Sequence, residues 1–337
     1  MANAVRKIIE TGVMQTMTSL ANFNRKFLRE PKGGNPYLTG LHAPMEVELD
    51  LTELEVEGDI PTELDGRYLR IGPNPITQPD PASHHWFVGD GMAHGLRLKD
   101  GRAVWYRNRW IRSNKVSAVL GEEPKPGHRN PRSDTANTNI VGIADRTFAL
   151  VEAGGKPVEL DFDLDTVAHN PFDGSLKNSF SAHPHFDPAT GEAHAICYEP
   201  TNPNAVWHTV LDKNGQVTRE EPIPVQDGPS VHDCQITKNY VLVFDLPAIF
   251  SKKRFLAGYD FPYEWNPSHP ARLGLLPRNG SGADIIWCAI EDPCYVYHPA
   301  NAFETEDGQV VVDVVVHESS YAESAHGPGG AWARFER

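Results

Sequence analysis

"CYVYHPANAFETEDGQVVVDVVVHE" (residues 294–318) reads as a β-hairpin. Tyr295 and Tyr297 alternate along the first strand, Glu306-Asp307-Gly308 makes the turn, and Val310 to Val316 is β-branched. One residue breaks the pattern. His298 stands at the end of the first strand, directly before Pro299, where a buried strand normally carries an apolar side chain. An imidazole facing an interior needs a partner, either a hydrogen bond or a metal ion.

Outward from this hairpin the same design recurs. "HGLRLKDGRAVWYRNRWI" (94–111) turns at Lys99-Asp100-Gly101, and "NIVGIADRTFALVE" (139–152) at Asp145-Arg146. "SAHPHFDPATGEAHAICYE" (181–199) turns between Asp187 and Gly191, and "WHTVLDKNGQVTRE" (207–220) carries Asn214-Gly215, a strong hairpin signal. "HDCQITKNYVLVFDLP" (232–247) and "ARLGLLPRNGSGADIIWCAIE" (271–291) continue the series. Seven hairpins without a strong helix between them predict an all-β fold. Their even spacing favours small sheets repeated around an axis, a β-propeller, over a single sandwich.

Composition agrees with a turn-rich globular chain. The 337 residues include 28 Gly and 28 Pro, and 39% are hydrophobic. A net charge of −14 repels phosphates and excludes general nucleic-acid binding. No stretch approaches the roughly 18 consecutive apolar residues of a membrane span. Cys197, Cys234, Cys288 and Cys294 form no CxxC pair. With no signal peptide in view they read as reduced, buried thiols of a cytoplasmic protein.

Residues 1–35 stand apart as an amphipathic helical segment and linker, ahead of the propeller at 36–337. Val5, Ile8, Ile9, Val13, Met17, Leu20, Phe23 and Phe27 recur at helical spacing among Arg6, Lys7, Arg25, Lys26 and Arg29. Such a helix either lies in a membrane interface or docks on its own domain. "PKGGNPY" (31–37) breaks it.

Among fifteen histidines, His183, His232 and His298 each read as strand residues of separate hairpins, 49 and 66 residues apart. In a propeller the innermost strand of each blade lines the axis, so one inward residue per blade can meet at a point without local HxxxH spacing. Neutral imidazoles suit divalent iron, zinc or copper. His94, His185 and His208 are similarly placed, and pattern alone does not rank the six.

A resemblance ranks them. "DGRYLRIGPNP" (65–75), "HHWFVGDGMAHGLRL" (84–98), "WYRNRWIRS" (105–113), "NTNIV" (137–141), "LVEAG" (150–154), "SAHPH" (181–185) and "CYVYHPANAF" (294–303), in this order, resemble the carotenoid cleavage oxygenases. The resemblance runs from about residue 36 to the end. It implies a seven-bladed propeller with a non-haem Fe(2+) on its axis, held by four histidines, three of which fall on His183, His232 and His298. Glu152 of "LVEAG" matches a glutamate that accepts the free N–H of a ligand imidazole, that of His232, and so fixes its tautomer and orientation. Thr138 of "NTN" matches a residue that crowds the open iron site and steers dioxygen.

The chain departs from the family at "HGPGGAWARFER", where relatives continue into their last blades with the fourth histidine and two further glutamates. His317 and His326 do not sit in the fourth ligand's motif. The resemblance therefore implies a C-terminally truncated chain with an incomplete propeller. The implied activity is dioxygen-dependent cleavage of a carbon–carbon double bond in a carotenoid or apocarotenoid, giving two carbonyl products. Lignostilbene-type cleavage is the alternative. There a Lys precedes the glutamate and grips a phenol, whereas this chain has Val151, which favours an apolar polyene. The segment "AIFSKKRFLAGYDF" (248–261) pairs Ile249, Phe250, Phe255 and Leu256 with three basic residues, as a loop resting on a membrane or as an ordinary solvated loop with partly buried aromatics. The rival from another class is a non-catalytic, metal-free binding scaffold.

Overall fold

The computed structural model describes residues 2–329 and 332–337, with side chains from residue 12 onward. It is an all-β chain. The first blade contains β1 (Asp50–Leu51), β2 (Gly66–Pro73), β3 (Gly91–Lys99) and β4 (Arg102–Trp110). The second contains β5 (Asn139–Ile143), β6 (Arg146–Leu150), β7 (Val158–Leu160) and β8 (Thr166–His169). The third contains β9 (His185–Phe186), β10 (Ala193–Tyr198), β11 (Ala205–Leu211) and β12 (Val217–Pro224). In the fourth, β13 (Cys234–Ile236) and β14 (Tyr240–Asp245) are followed by a separate ribbon of β15 (Ala248–Phe250) and β16 (Tyr263–Trp265) before the blade resumes with β17 (Arg272–Pro277) and β18 (Ile286–Ala289). The fifth sheet is β19 (Tyr295–Glu304), β20 (Val310–His317) and β21 (Ala333–Glu336). The pairings between these strands are antiparallel, as hairpins require.

Cores lie between neighbouring blades rather than inside one sheet. Strand β10 shows why, because it is buried on both faces. Its odd positions Ala193, Ala195 and Cys197 pack with Phe148 and Leu150 of the second blade. Its even positions Ile196 and Tyr198 pack with Val241, Val243 and Leu276 of the fourth and with Tyr295 and Val296 of the fifth. The two-residue period of a pleated strand therefore ties each sheet to its neighbours on both sides. Each fully buried large apolar side chain contributes about 1.5–3 kcal/mol. The edge strands β2 and β5, β9 and β13, and β13 and β19 approach one another and line the centre.

Several local expectations shift. The β5–β6 turn falls on Ala144-Asp145, both in the left-handed region at φ 47° and 61°, one residue earlier than expected, so that Ile143 pairs with Arg146. Cys288 is exposed, against the expectation of a buried thiol, because it lies on edge strand β18, while the other three cysteines are buried.

Helix α1 (Ala2–Arg25) docks by its last turns, and the side chains of Val5, Ile8 and Ile9 lie outside the described residues. Helix α2 (Asn114–Leu120) follows the first blade, and helix α3 (Lys252–Ala257) occupies the expected 248–261 loop. Asn24 Nδ2 donates to Leu256 O at 2.7 Å, and Arg25 pairs with Asp260 at 2.6 Å. Ile249 is buried, Phe250, Phe255 and Leu256 are half-buried, and Lys252 and Lys253 are exposed, the partly buried aromatics expected of a surface segment, here helical rather than a loop. Exposed apolar side chains stand close together on α1 and its continuation, where Val13, Leu20, Phe23 and Phe27 are all exposed. No described helix is long and apolar enough to cross a membrane.

Candidate metal centre

Propeller geometry delivers the candidate residues to one point. Thr138 immediately precedes β5, and Glu152 lies two residues beyond β6. His183 and His232 each stand two residues before an edge strand, β9 and β13, rather than within it as expected. Only His298 is a true strand residue, and the register of β19 against β20 shifts on both sides of Pro299. This irregularity turns His298 out of the ordinary alternation. It answers the anomaly in the hairpin, for the ring points at two other imidazoles.

The three rings meet closely. Their centroids lie 4.5 Å (His183–His232), 4.6 Å (His183–His298) and 4.7 Å (His232–His298) apart. One ligand nitrogen from each falls within 4.8 Å of the others, and His232 Nε2 is 3.3 Å from His298 Nε2. The opposite nitrogens are engaged by carboxylates. His232 Nδ1 donates to Glu152 Oε1 at 2.9 Å, and His298 Nδ1 donates to Asp233 Oδ2 at 2.7 Å. A carboxylate only accepts, so both rings carry their proton on Nδ1 and turn an Nε2 lone pair inward. His183 Nε2 is buried without a hydrogen-bond partner.

Electrostatics follow this layout. Burial, reinforced by the neighbouring His232, pushes His183 down to about 3, so it stays neutral and available as a donor. Burial works against charge on His232, but Glu152 outweighs it and shifts that ring upward. Burial would raise Asp233, yet hydrogen bonds from His185 and His298 hold it well below the usual carboxylate range.

The donor set fits a divalent transition metal. Two nitrogens each about 2.1 Å from one ion, at about a right angle, stand about 3 Å apart, close to the separation seen for His232 and His298. Two facing lone pairs and an orphaned buried imidazole nitrogen are satisfied together by one shared cation. Neutral imidazoles add no charge, and Glu152 and Asp233 supply two negative charges one hydrogen bond away.

Beside the trio lies a cavity of about 600 Å³. Glu152, Thr138, His232 and His298 contribute to its wall, together with Val151, Phe87, Phe261, Tyr263 and Tyr297. Tyr297 meets the His232 ring edge-on at 5.5 Å. Among the described residues the lining contains no lysine or arginine.

The remaining histidines separate cleanly. His94 hydrogen-bonds Tyr106 at 2.8 Å, and His208 pairs with His194 at 3.0 Å, both within sheets. His317 packs edge-on against Tyr297, and His326 Nδ1 contacts His84 O at 2.9 Å; neither joins the trio. Asp233 went unnoticed in the sequence. A second grouping of His185, Asp233 and Cys234 shares it, but burial raises the Cys234 thiol well above its ordinary range, which leaves it a poor ligand.

Known proteins align with this architecture. The family model described as retinal pigment epithelial membrane protein matches residues 42–329. A carotenoid cleavage oxygenase of Mycobacterium tuberculosis is 42% identical, covering 88% of this chain and 68% of that protein. A carotenoid 9,10(9',10')-cleavage dioxygenase 1 of Phaseolus vulgaris is 33% identical over 85% of this chain and 58% of its own length. The crystal structure of Pseudomonas brassicacearum lignostilbene dioxygenase superposes with a TM-score of 0.78 at 27% identity, covering 91% of this chain and 68% of that one.

Proposed function

The chain belongs to the retinal pigment epithelial membrane protein family, and from that premise we propose that it serves a non-haem iron(II) dioxygenase that cleaves a carbon–carbon double bond of a carotenoid or apocarotenoid. One alkene and one dioxygen give two carbonyl products, so no organic cofactor is consumed. The observation that carries this reading is the convergence of His183, His232 and His298 at the edge of an apolar cavity, with Glu152 behind His232. These imidazoles would hold ferrous iron, which when bound supplies the one-electron chemistry that lets triplet dioxygen react with a closed-shell alkene.

The chain's own residues do the rest. Glu152 holds the Nδ1 proton of His232 and keeps Nε2 free. Phe87, Phe261, Tyr263 and Tyr297 present rings against which a flat conjugated chain packs, and they exclude water from its reacting bond. Thr138, in the same wall, narrows the space next to the imidazoles. Val151 lines the cavity beside Glu152 with a branched aliphatic group, and this supports an apolar polyene over a phenolic stilbene. The exposed Val13, Leu20, Phe23 and Phe27 support peripheral contact with a membrane that holds such a substrate.

The test is metal stoichiometry followed by product analysis. Fe(II) should bind one per chain and be lost in His298→Ala; with oxygen, an apocarotenoid should yield aldehydes faster than a 4-hydroxystilbene does. A wild-type chain that retains no iron favours the metal-free scaffold. Faster stilbene cleavage favours the lignostilbene-type alternative.

A further inference from the structure

Asp233 follows a candidate ligand directly and immediately precedes β13. His232 turns to Glu152, while Asp233 turns to two other histidines. Its Oδ2 accepts from His298 Nδ1 at 2.7 Å and its Oδ1 from His185 Nε2 at 2.8 Å. The backbone N–H of Cys234 also donates to Oδ1 at 2.7 Å, which fixes the carboxylate's own rotamer. The Asp233 side chain is 6% exposed, whereas that of His298 is 52% exposed.

That contrast decides what holds His298 in place. A half-exposed ring beside a register shift has little packing to fix its χ angles. Among the described residues, its one hydrogen bond to a side chain other than the facing imidazole of His232 is donated to Asp233. The other arm of the carboxylate reaches His185, two residues past His183 across Pro184. One buried side chain thus ties together the first residue of β9, two beyond His183, the approach to β13 beside His232, and His298 in β19.

Resting on the metal-site reading above, we propose that Asp233 is a positioning residue for the centre: it sets the Nδ1–H tautomer of His298 and, through His185, braces the His183 segment. It also places a negative charge one hydrogen bond from the metal, as Glu152 does from the other side. Asn in its place offers one acceptor oxygen where two are needed. Its amide donors would oppose an imidazole N–H and favour the tautomer that withdraws Nε2 from the metal.

The experiment uses the whole 337-residue chain with Co(II) as a visible-absorbing probe. Wild type should bind one Co(II). Asp233→Asn should bind about 10–100-fold more weakly, as is usual for lost carboxylate–histidine–metal partners, with an altered d–d spectrum. His185→Gln, which removes only the bracing arm, should weaken binding less. Denaturation of the metal-free variants separates this effect from loss of fold. A second readout needs no substitution at Asp233: ¹⁵N imidazole spectra of the metal-free chain, with His298 assigned by its absence in His298→Asn, should place the proton on Nδ1. Wild-type binding with an unchanged Asp233→Asn affinity, or a proton on His298 Nε2, overturns the role of Asp233 and leaves the metal reading intact. Failure of wild type to bind Co(II) or Fe(II) overturns both.

Discussion

Gly91→Ala should loosen the wall of the centre from a distance. Gly91 opens β3, and its φ lies outside the left-handed region, so alanine meets no backbone penalty there. At such a position Gly→Ala ordinarily stabilises by about 0.4–1 kcal/mol through the unfolded state. Here the added Cβ would lie 1.8 Å from the carbonyl oxygen of Ala136 and 3.1 Å from Asn137 Cα. An ordinary contact needs roughly 1.5 Å more, so the two backbones must part. The hydrogen bonds at risk are Gly91 N to Thr135 Oγ1 at 3.0 Å and Asn137 Nδ2 to Gly89 O at 3.0 Å. Each is worth about 0.5–1.5 kcal/mol. With an overpacking cost of about 1–3 kcal/mol, and less the unfolded-state gain, the variant should lose about 1–5.5 kcal/mol. Guanidinium denaturation of the metal-free chain reads this as a lower midpoint at unchanged slope. Because Thr138 follows the displaced segment, Co(II) affinity should also fall. A Gly91→Ala chain as stable as wild type would refute the close approach of these backbones, and with it the placement of Thr138.

Val151→Lys should raise turnover of a 4-hydroxystilbene relative to an apocarotenoid by about tenfold or more, since a charged hydrogen bond to a phenolate is worth about 1.5–3 kcal/mol; paired kcat/KM values check it. Replacing Phe23 and Phe27 together by Asp should lower partitioning onto phospholipid vesicles by about tenfold or more, read by co-sedimentation, without moving the metal affinity. Away from the centre, burial disfavours charge on His269, but Asp245 at 2.8 Å and Asp227 at 3.2 Å outweigh it and raise the ring. A raised folded value means that this pair contributes its full stability below the unfolded value of about 6.5 and loses it as pH rises through the folded value. The stability gap between wild type and His269→Gln, measured by urea denaturation, should therefore be larger at pH 5.5 than at pH 8.5.

How much of this was legible in the sequence depends on whether local or convergent geometry decides a residue. The Asn214-Gly215 turn needs only its own backbone: Gly215 sits at φ 74° and Asp212 N bonds Gln216 O at 2.9 Å. Turns of that kind were readable, and so was the all-β fold they add up to. His298 was readable for the opposite reason, as a polar residue in a hairpin whose pattern demanded an apolar one. His183 and His232 carried no such contrast; resemblance to a family singled them out, and the structure moves both out of the strands into the two residues before them. Asp233 left no trace, because an aspartate beside a histidine at a strand end is most often a solvated one. What makes it different is the arrival of β9 and β19 at 2.8 Å and 2.7 Å from its two oxygens, brought there by blades 48 residues behind it and 65 ahead. A propeller lets residues this far apart share one carboxylate without any of them needing a local motif. In such folds a candidate ligand within a strand stands out as a misplaced polar residue, whereas those in the segments between strands, and the side chains that orient them, come together only once the blades are assembled around the axis.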